Sequence, residues 1–576
     1  MRRLGWGIIL VLLGLSLPGC GPVEPVSESS PANSATQEAV AVPPEAQAMY
    51  RYLSARIELL DGDSGAAHEH YKEAARHDPS SALLRARLAK SYLGLGEVDN
   101  AVVEAEAAVR LDGEDLQSRR LLAGLYGATG KVSEGIREYR KVLEIAPDDA
   151  QTLLYLGAIR LGQGQFGPAR EHLERYTRRN PGSPLGHYYL GRILAESREL
   201  VDAEKSYATA LKLYPRSAPV LVELGLVHEF RGRRSAALET YEKLLKVDPR
   251  NDWAGRRLEA FRSGRRDLAE ARAEFDRLRS REAAPGVARM KMALVHYELG
   301  NLEDAVTEFS LALAERPDDG RVRFFTGLTY ARLEDREAAA RHFERIPEDS
   351  EYFVDSRVQL ASVYEKQERF PEAVTAIRAA LEKDDRRRKE LFRLLAEVYR
   401  QAKDFPNAIK AMHTVVELDP RSDRVHFALG ALYDESKDKD KTIEYMQKAI
   451  ELNPDYAAAL NYLGYTYADL GVELDRAEQL IIRALEIRPN DGFYIDSLGW
   501  VYYRKGQFRK AIEQLEKAVH LVVDDPVIIE HLGDAYLKVG EPRKALRSYR
   551  EALESADEDE QLERIRSKIG ELEPGT

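Results

Sequence analysis

The chain has 576 residues, 97 of them acidic and 85 basic, for a formal net charge of −12. That balance argues against nucleic acid as a partner, and a single cysteine leaves nothing to form a disulfide with. The length would ordinarily suggest several globular domains, unless the sequence repeats.

Taken in chain order, Arg2 and Arg3 precede an apolar run from Leu4 to Leu17, followed by small residues. A positive start, a short apolar stretch and a small-residue zone predict a secretory signal over 1–19, too short to span a bilayer permanently. Leu17-Pro18-Gly19-Cys20 resembles a bacterial lipobox. The resemblance implies that Cys20 is acylated and becomes the first mature residue. Bacterial lipoproteins carry several acyl chains, which implies a permanent tether, since one chain holds only marginally. Gly21 stands where an aspartate would favour inner-membrane retention, so the resemblance implies an outer-membrane location facing the periplasm. Residues 20–47 hold Pro22, Pro25, Pro31, Pro43 and Pro44, several serines and no Lys or Arg. Such a segment cannot bury a core and reads as a disordered tether, reaching ~30 Å as coil or ~80 Å as polyproline helix.

From residue 48 the sequence repeats. Pro79, Pro147, Pro181, Pro215, Pro249 and Pro317 are separated by 34 residues or multiples of it. The pattern Leu460, Leu463-Gly464, Tyr467 returns as Ile495, Leu498-Gly499, Tyr502 and as Ile529, Leu532-Gly533, Tyr536. In this the chain resembles the tetratricopeptide repeat (TPR) family, whose unit is a 34-residue helical hairpin. The resemblance implies an all-α, right-handed superhelical solenoid of about fifteen hairpins. Small residues at the eighth place (Ala89, Gly157, Gly191, Gly225, Ala293, Gly327, Ala361) should let the two helices of a hairpin approach closely. Second-helix alanines (Ala203, Ala237, Ala305, Ala339, Ala373, Ala408) should fill the same seam, where bulk would overpack it. The aromatic four residues on (Tyr139, Tyr207, Tyr241, Phe309, Phe343) should reach into the next hairpin, and the proline should stop the second helix.

In this frame repeats 1–6 occupy 48–251, a seventh 252–285, and repeats 8–15 occupy 286–559, with extra residues at Arg388 and near Val472. An amphipathic segment with Leu562, Ile565, Ile569 and Leu572, within the final 560–576, is expected to cap the last apolar face. The seventh unit keeps Ala271 and Phe275 but has Glu259 at the small position and nine arginines. It reads either as a solvated, degenerate repeat whose acidic neighbours balance its charge or as a hinge or basic contact patch. The run Arg386-Arg387-Arg388-Lys389 reads as an exposed turn.

Chemistry is sparse. "GQGQFG" at 162–167 matches a dinucleotide fingerprint but falls at the turn between two helices, where the glycines serve the turn. "GATGKVS" at 127–133 falls at the same place in its repeat and lacks phosphate-loop spacing. His68 and His70 face different ways on one helix, poor geometry for a metal, and with His77 they read as surface histidines. No nucleophile, base and orienting residue come together, so the expectation is a non-enzyme without cofactor or metal. Binding remains. In this family first helices line a concave groove that holds partner peptides or helices, and projecting them places Asn461 and Tyr465, Asp496 and Trp500, and Glu530 and Asp534 on the concave side. Aromatic and acidic residues together suit a basic or amphipathic partner segment; packing between hairpins is the alternative for Tyr465 and Trp500. The Lys, Arg and Asn pattern with which some members grip a terminal carboxylate is absent.

The stretch from Asn461 to Ala518 further resembles the C-terminal part of proteobacterial lipoproteins with many such repeats. Some of these are adaptors for periplasmic carboxyl-terminal processing proteases and their cell-wall hydrolase substrates. The resemblance implies a scaffold with periplasmic protein partners; assembly of exported polysaccharide or type IV pili is the alternative.

Overall fold

The computed structural model describes residues 42–249, 251–262 and 285–573. The expected signal, Cys20 and most of the tether lie outside the described residues, as does the seventh repeat from 263 to 284, with Ala271 and Phe275. The described residues form thirty α-helices and one 3-10 turn, with no strand.

The helices alternate as hairpins. In the second repeat, for example, Ala82–Gly94 is followed by Val98–Leu111. Several first helices open on side-chain caps: Ser81 accepts from Leu84 N, Asp115 from Ser118 N, and Asp149 from Thr152 N. Each satisfies an amide that has no partner inside its helix. Second helices stop two residues before a proline, as Ser64–His77 does before Pro79 and Val132–Ile145 before Pro147. Within a hairpin the turn needs one left-handed residue. Glycine supplies it at Gly62, Gly96, Gly130 and Gly164, whereas Arg198, Glu334, Glu368, Lys403 and Lys437 are forced into the same φ of 58–67°. Gly164 thus gives "GQGQFG" its turn between Ala150–Gly162 and Phe166–Arg179. The extra residue near Val472 is absorbed by two left-handed residues, Gly471 and Glu473, and the one at Arg388 by the 3-10 turn Asp385–Arg387.

The core is a continuous seam. Ala203, Ala237, Ala305, Ala339, Ala373 and Ala408 are all 0% exposed. Opposite them, the small position of the first helix lies flat against the second-helix aromatic. A Cβ on Gly191 would sit 2.7 Å from the Tyr207 ring, and one on Gly327 2.6 Å from Phe343. The aromatic ring therefore fills the seam of its own hairpin, while the polar tip can reach onward: the Tyr207 hydroxyl donates to Glu223 of the next hairpin at 3.1 Å. The last helix, Asp559–Leu572, packs against Pro542–Ser555 and buries Ile565.

Nearest-neighbour stacking is not the whole of the tertiary structure. The superhelix returns on itself after about eight hairpins. Asp335, at the turn of the ninth hairpin, accepts from Ser64 N at 3.2 Å, across 271 residues of sequence. A Cβ on Gly62 would meet the Glu334 carbonyl at 2.5 Å. The eighth hairpin, Pro285–Glu298 and Leu302–Glu315, packs against first helices of repeats two to four.

Candidate functional site: the concave face of the last repeats

The first helices Ala457–Leu470, Gly492–Arg504 and Pro526–Lys538 lie side by side, and Asp559–Leu572 takes the place of a sixteenth first helix. Each carries two residues four apart: Asn461 and Tyr465, Asp496 and Trp500, Glu530 and Asp534, Arg564 and Lys568. A separation of four puts both on one stripe of a helix.

Asp496 is 6% exposed and pairs with His531 Nδ1 at 2.9 Å. Burial alone would lower the imidazole pKa, but the Asp496 carboxylate outweighs it and the net direction is up. The ring of His531 stacks on Trp500 at 4.2 Å and 18°, and Tyr503 stacks on Trp500 at 4.8 Å and 8°. The indole thus lies against two parallel rings, with the Arg504 guanidinium 6.0 Å from its centroid. Tyr465 is half-buried; burial, with Asp496, Asp469 and Asp434 nearby, pushes its hydroxyl pKa up.

Glu530 and Asp534 are already neutralised. Arg564 donates to both Glu530 oxygens at 2.9 Å, and Lys568 reaches Glu530 Oε1 at 2.8 Å. Lys568 also binds Asp534 at 2.7 Å, and the Tyr549 hydroxyl donates to Asp534 at 2.6 Å. Burial would raise the Glu530 carboxyl, but the hydrogen bonds from Arg564 and Lys568 prevail and hold it at about 2. The two acids at the end of the groove are therefore held by the chain's own last helix. Two atoms have no such partner: Asn461 Oδ1, an acceptor, and Trp500 Nε1, a donor, are both buried and make no hydrogen bond.

His531, Arg564 and Lys568 were not singled out from the sequence, although Arg564 and Lys568 stand 34 residues after Glu530 and Asp534 and the repeat period alone points to them. The expectation of surface histidines also needs correction: His68 is 6% exposed, accepts or donates at Ser91 Oγ over 2.9 Å and meets Tyr92 edge-on at 4.7 Å. It shares the buried side of Ser64–His77 with Ala67 and Tyr71. Among the described residues no three or more His, Cys, Asp or Glu groups are placed to hold a metal, and no helix is long and apolar enough to cross a membrane.

Stacked helical hairpins define a repeat-built protein-interaction scaffold. The chain belongs to the tetratricopeptide repeat family: models described as "Tetratricopeptide repeat" match residues 52–105, 86–150, 154–218, 222–288, 290–352 and 358–423, with further matches at 423–456, 445–479, 496–521 and 528–571. The TPR repeat-containing protein PA4667 of Pseudomonas aeruginosa is 36% identical over 102 residues, 17% of this chain and 17% of that protein. Cellulose synthase operon protein C of Xanthomonas axonopodis pv. citri is 28% identical over 212 residues, 34% of this chain and 14% of that protein. The chain thus spans under a fifth of the length of either relative. Among solved structures, yeast Tom70 is similar at 16% identity, with 73% of this chain and 95% of that one covered and a TM-score of 0.34. PilW, described as a type IV pilus biogenesis factor, is similar at 19% identity, with 38% of this chain and all of that one covered and a TM-score of 0.32.

Proposed function

We propose that this protein is a non-enzymatic adaptor, anchored at the periplasmic face of the outer membrane through an acylated Cys20. Its function is to bring a carboxyl-terminal processing protease together with cell-wall hydrolase substrates. The lipobox-like Leu17-Pro18-Gly19-Cys20 and the resemblance from Asn461 to Ala518 support the address and the partner class. The observation that carries the contact site is the pair of unsatisfied buried atoms, Asn461 Oδ1 and Trp500 Nε1. A buried polar atom without a partner costs about 1–3 kcal/mol; both atoms lie under the surface, so a segment offering one donor and one acceptor regains that energy only as Asn461 and Trp500 turn outward to meet it. The half-buried Tyr465 supplies an aromatic anchor beside them. Glu530 and Asp534 enter as the wall of the groove, already held by Arg564 and Lys568.

The second reading, an assembly factor for exported polysaccharide or type IV pili, is favoured by the name of the Xanthomonas relative, a cellulose synthase operon protein. Cross-linked affinity purification from membrane-bearing cells separates the two, with Asn461→Ala and Tyr465→Ala beside the wild type. A processing protease and wall hydrolases recovered with the wild type and diminished with the variants are the expected result. Secretion or pilus components in their place overturn the adaptor reading. Cys20→Ala should release the protein from the membrane fraction, and a variant that stays membrane-bound refutes the anchor.

A further inference from the structure

The groove lined by the first helices of repeats two to five is covered by another part of the chain, the eighth hairpin. Arg289, on Pro285–Glu298, is 3% exposed. It pairs with Glu308 of its own hairpin at 3.1 Å, donates to the Tyr139 hydroxyl of repeat three at 3.1 Å, and lies 4.9 Å from the ring centroid of Tyr155 in repeat four. Two residues on, Lys291 donates to the Tyr188 hydroxyl of repeat five at 2.8 Å, with its ammonium 4.6 Å from the ring centroid. Gln151 donates to Glu308 at 3.2 Å. Apolar residues complete the fit. Met292 joins the cluster of Tyr155 and Tyr188, and Leu311, 2% exposed, joins that of Leu93, Leu122 and Leu125. Gly124 has no side chain because there is no room for one: a Cβ there would lie 2.8 Å from Leu311 Cδ1 and 3.3 Å from the Arg289 guanidinium.

We propose that this groove is a receptor for amphipathic helices that carry a basic pair, that the eighth hairpin occupies it in cis, and that a partner protein presenting such a helix must displace the hairpin to bind. The recognition chemistry is set out by the occupant. Tyr139, Tyr155 and Tyr188 offer hydroxyls and ring faces to two cations, and the aliphatic floor around Leu93 and Leu125 takes the apolar side. The occupant is suited to exchange because docking takes two charged groups, Arg289 and Glu308, out of water, which offsets much of what the apolar contacts contribute. On release Arg289 and Glu308 stay together on one hairpin, so undocking strands neither charge. This inference is independent of the partner proposed for the last repeats and uses a different groove.

The test uses the full chain and, as probe, a synthetic peptide of residues 285–315 followed by fluorescence anisotropy. The Arg289→Glu, Leu311→Glu double variant frees its groove and should bind the peptide at least about tenfold more tightly than the wild type, whose groove is occupied most of the time. Adding Gly124→Leu to the double variant should abolish binding, since the leucine projects where Leu311 and Arg289 now sit. Equal affinity of wild type and double variant, or binding that survives Gly124→Leu, overturns the proposal. Should the double variant lose helicity, Gly124→Leu alone decides, because leucine is a better helix former than glycine and does not weaken its own helix. Expelling the hairpin should speed tryptic cleavage after Arg289 and Lys291 about tenfold, in proportion to the population of the open form. A cleavage rate unchanged from wild type refutes occupation of the groove in cis.

Discussion

Alanine in place of glycine should have opposite effects at two positions of this chain. At Gly225 a Cβ would sit 2.3 Å from Tyr241 Cε1 and 2.9 Å from its Cζ. The ring cannot yield: Tyr241 is 0% exposed, its hydroxyl donates to Glu229 at 2.5 Å, and Trp253 meets it edge-on at 5.4 Å. Overpacking costs roughly 1–3 kcal/mol, and with a pinned ring the top of that range applies. Alanine returns about 1 kcal/mol of helix propensity, so Gly225→Ala should destabilise by about 2 kcal/mol. At Gly570, on the last helix, no atom lies within 4 Å of the added Cβ, and the same change should stabilise that helix by about 1 kcal/mol. Because solenoids open in segments, the measurement is hydrogen exchange read on peptides spanning 218–247 and 559–572, beside a urea melt of the whole chain. Slower exchange in Gly225→Ala, or faster exchange in Gly570→Ala, would refute the account of the seam as a steric limit.

Three further outcomes follow from the geometry. Lys403 and Lys437 sit at φ of 58° and 67° where other hairpins use glycine, so Lys403→Gly and Lys437→Gly should each stabilise by about 0.5–1 kcal/mol, seen as a higher urea midpoint. Glu530 is held at about 2 against an ordinary 4.5. A depressed carboxyl contributes stability that is complete above about pH 4.5 and is lost as pH falls toward 2, about 3 kcal/mol in all; Lys568→Met should shrink that acid-sensitive increment in melts taken at pH 3 and pH 6. His531 has the opposite sign: its folded pKa is raised by Asp496, so the stability it contributes is complete below about 6.5 and fades as pH rises through the folded value. In Asp496→Asn, slopes of stability against pH above 6.5 should flatten, and an unchanged slope would refute the part given to the Asp496 carboxylate in raising the imidazole.

The repeat was legible because the determinants read from it lie within one 34-residue unit: the seam residues Gly191 and Tyr207 and the stop at Pro79. That Asp496 and Trp500, and Glu530 and Asp534, stand four apart on successive first helices was legible for the same reason. What the stripe binds was not, because Arg564 and Lys568 come from a helix read only for its apolar residues. His68 was misplaced because its neighbours Glu69 and His70 suggest a solvated helix, while the face it shares with Tyr71 is decided by packing on Tyr92. The eighth hairpin in the groove left no local mark. Arg289 and Tyr139 are 150 residues apart, and their meeting depends on superhelical pitch, a small rotation per repeat that accumulates over five hairpins and that no single repeat encodes.

The hydrogen bond from Ser64 to Asp335, closing 271 residues, bears on how the molecule assembles. An open solenoid has low contact order and can zip from any nucleus at the speed of local hairpins. Here the first coil must also shut on itself, and ring closure over so long a segment costs more entropy than the nearest-neighbour contacts between hairpins. Refolding should therefore split in time, with helicity recovered early and the burial of Arg289 and Leu311 completed last. Between the two the molecule passes through an interval in which every repeat is formed and the N-terminal groove stands empty.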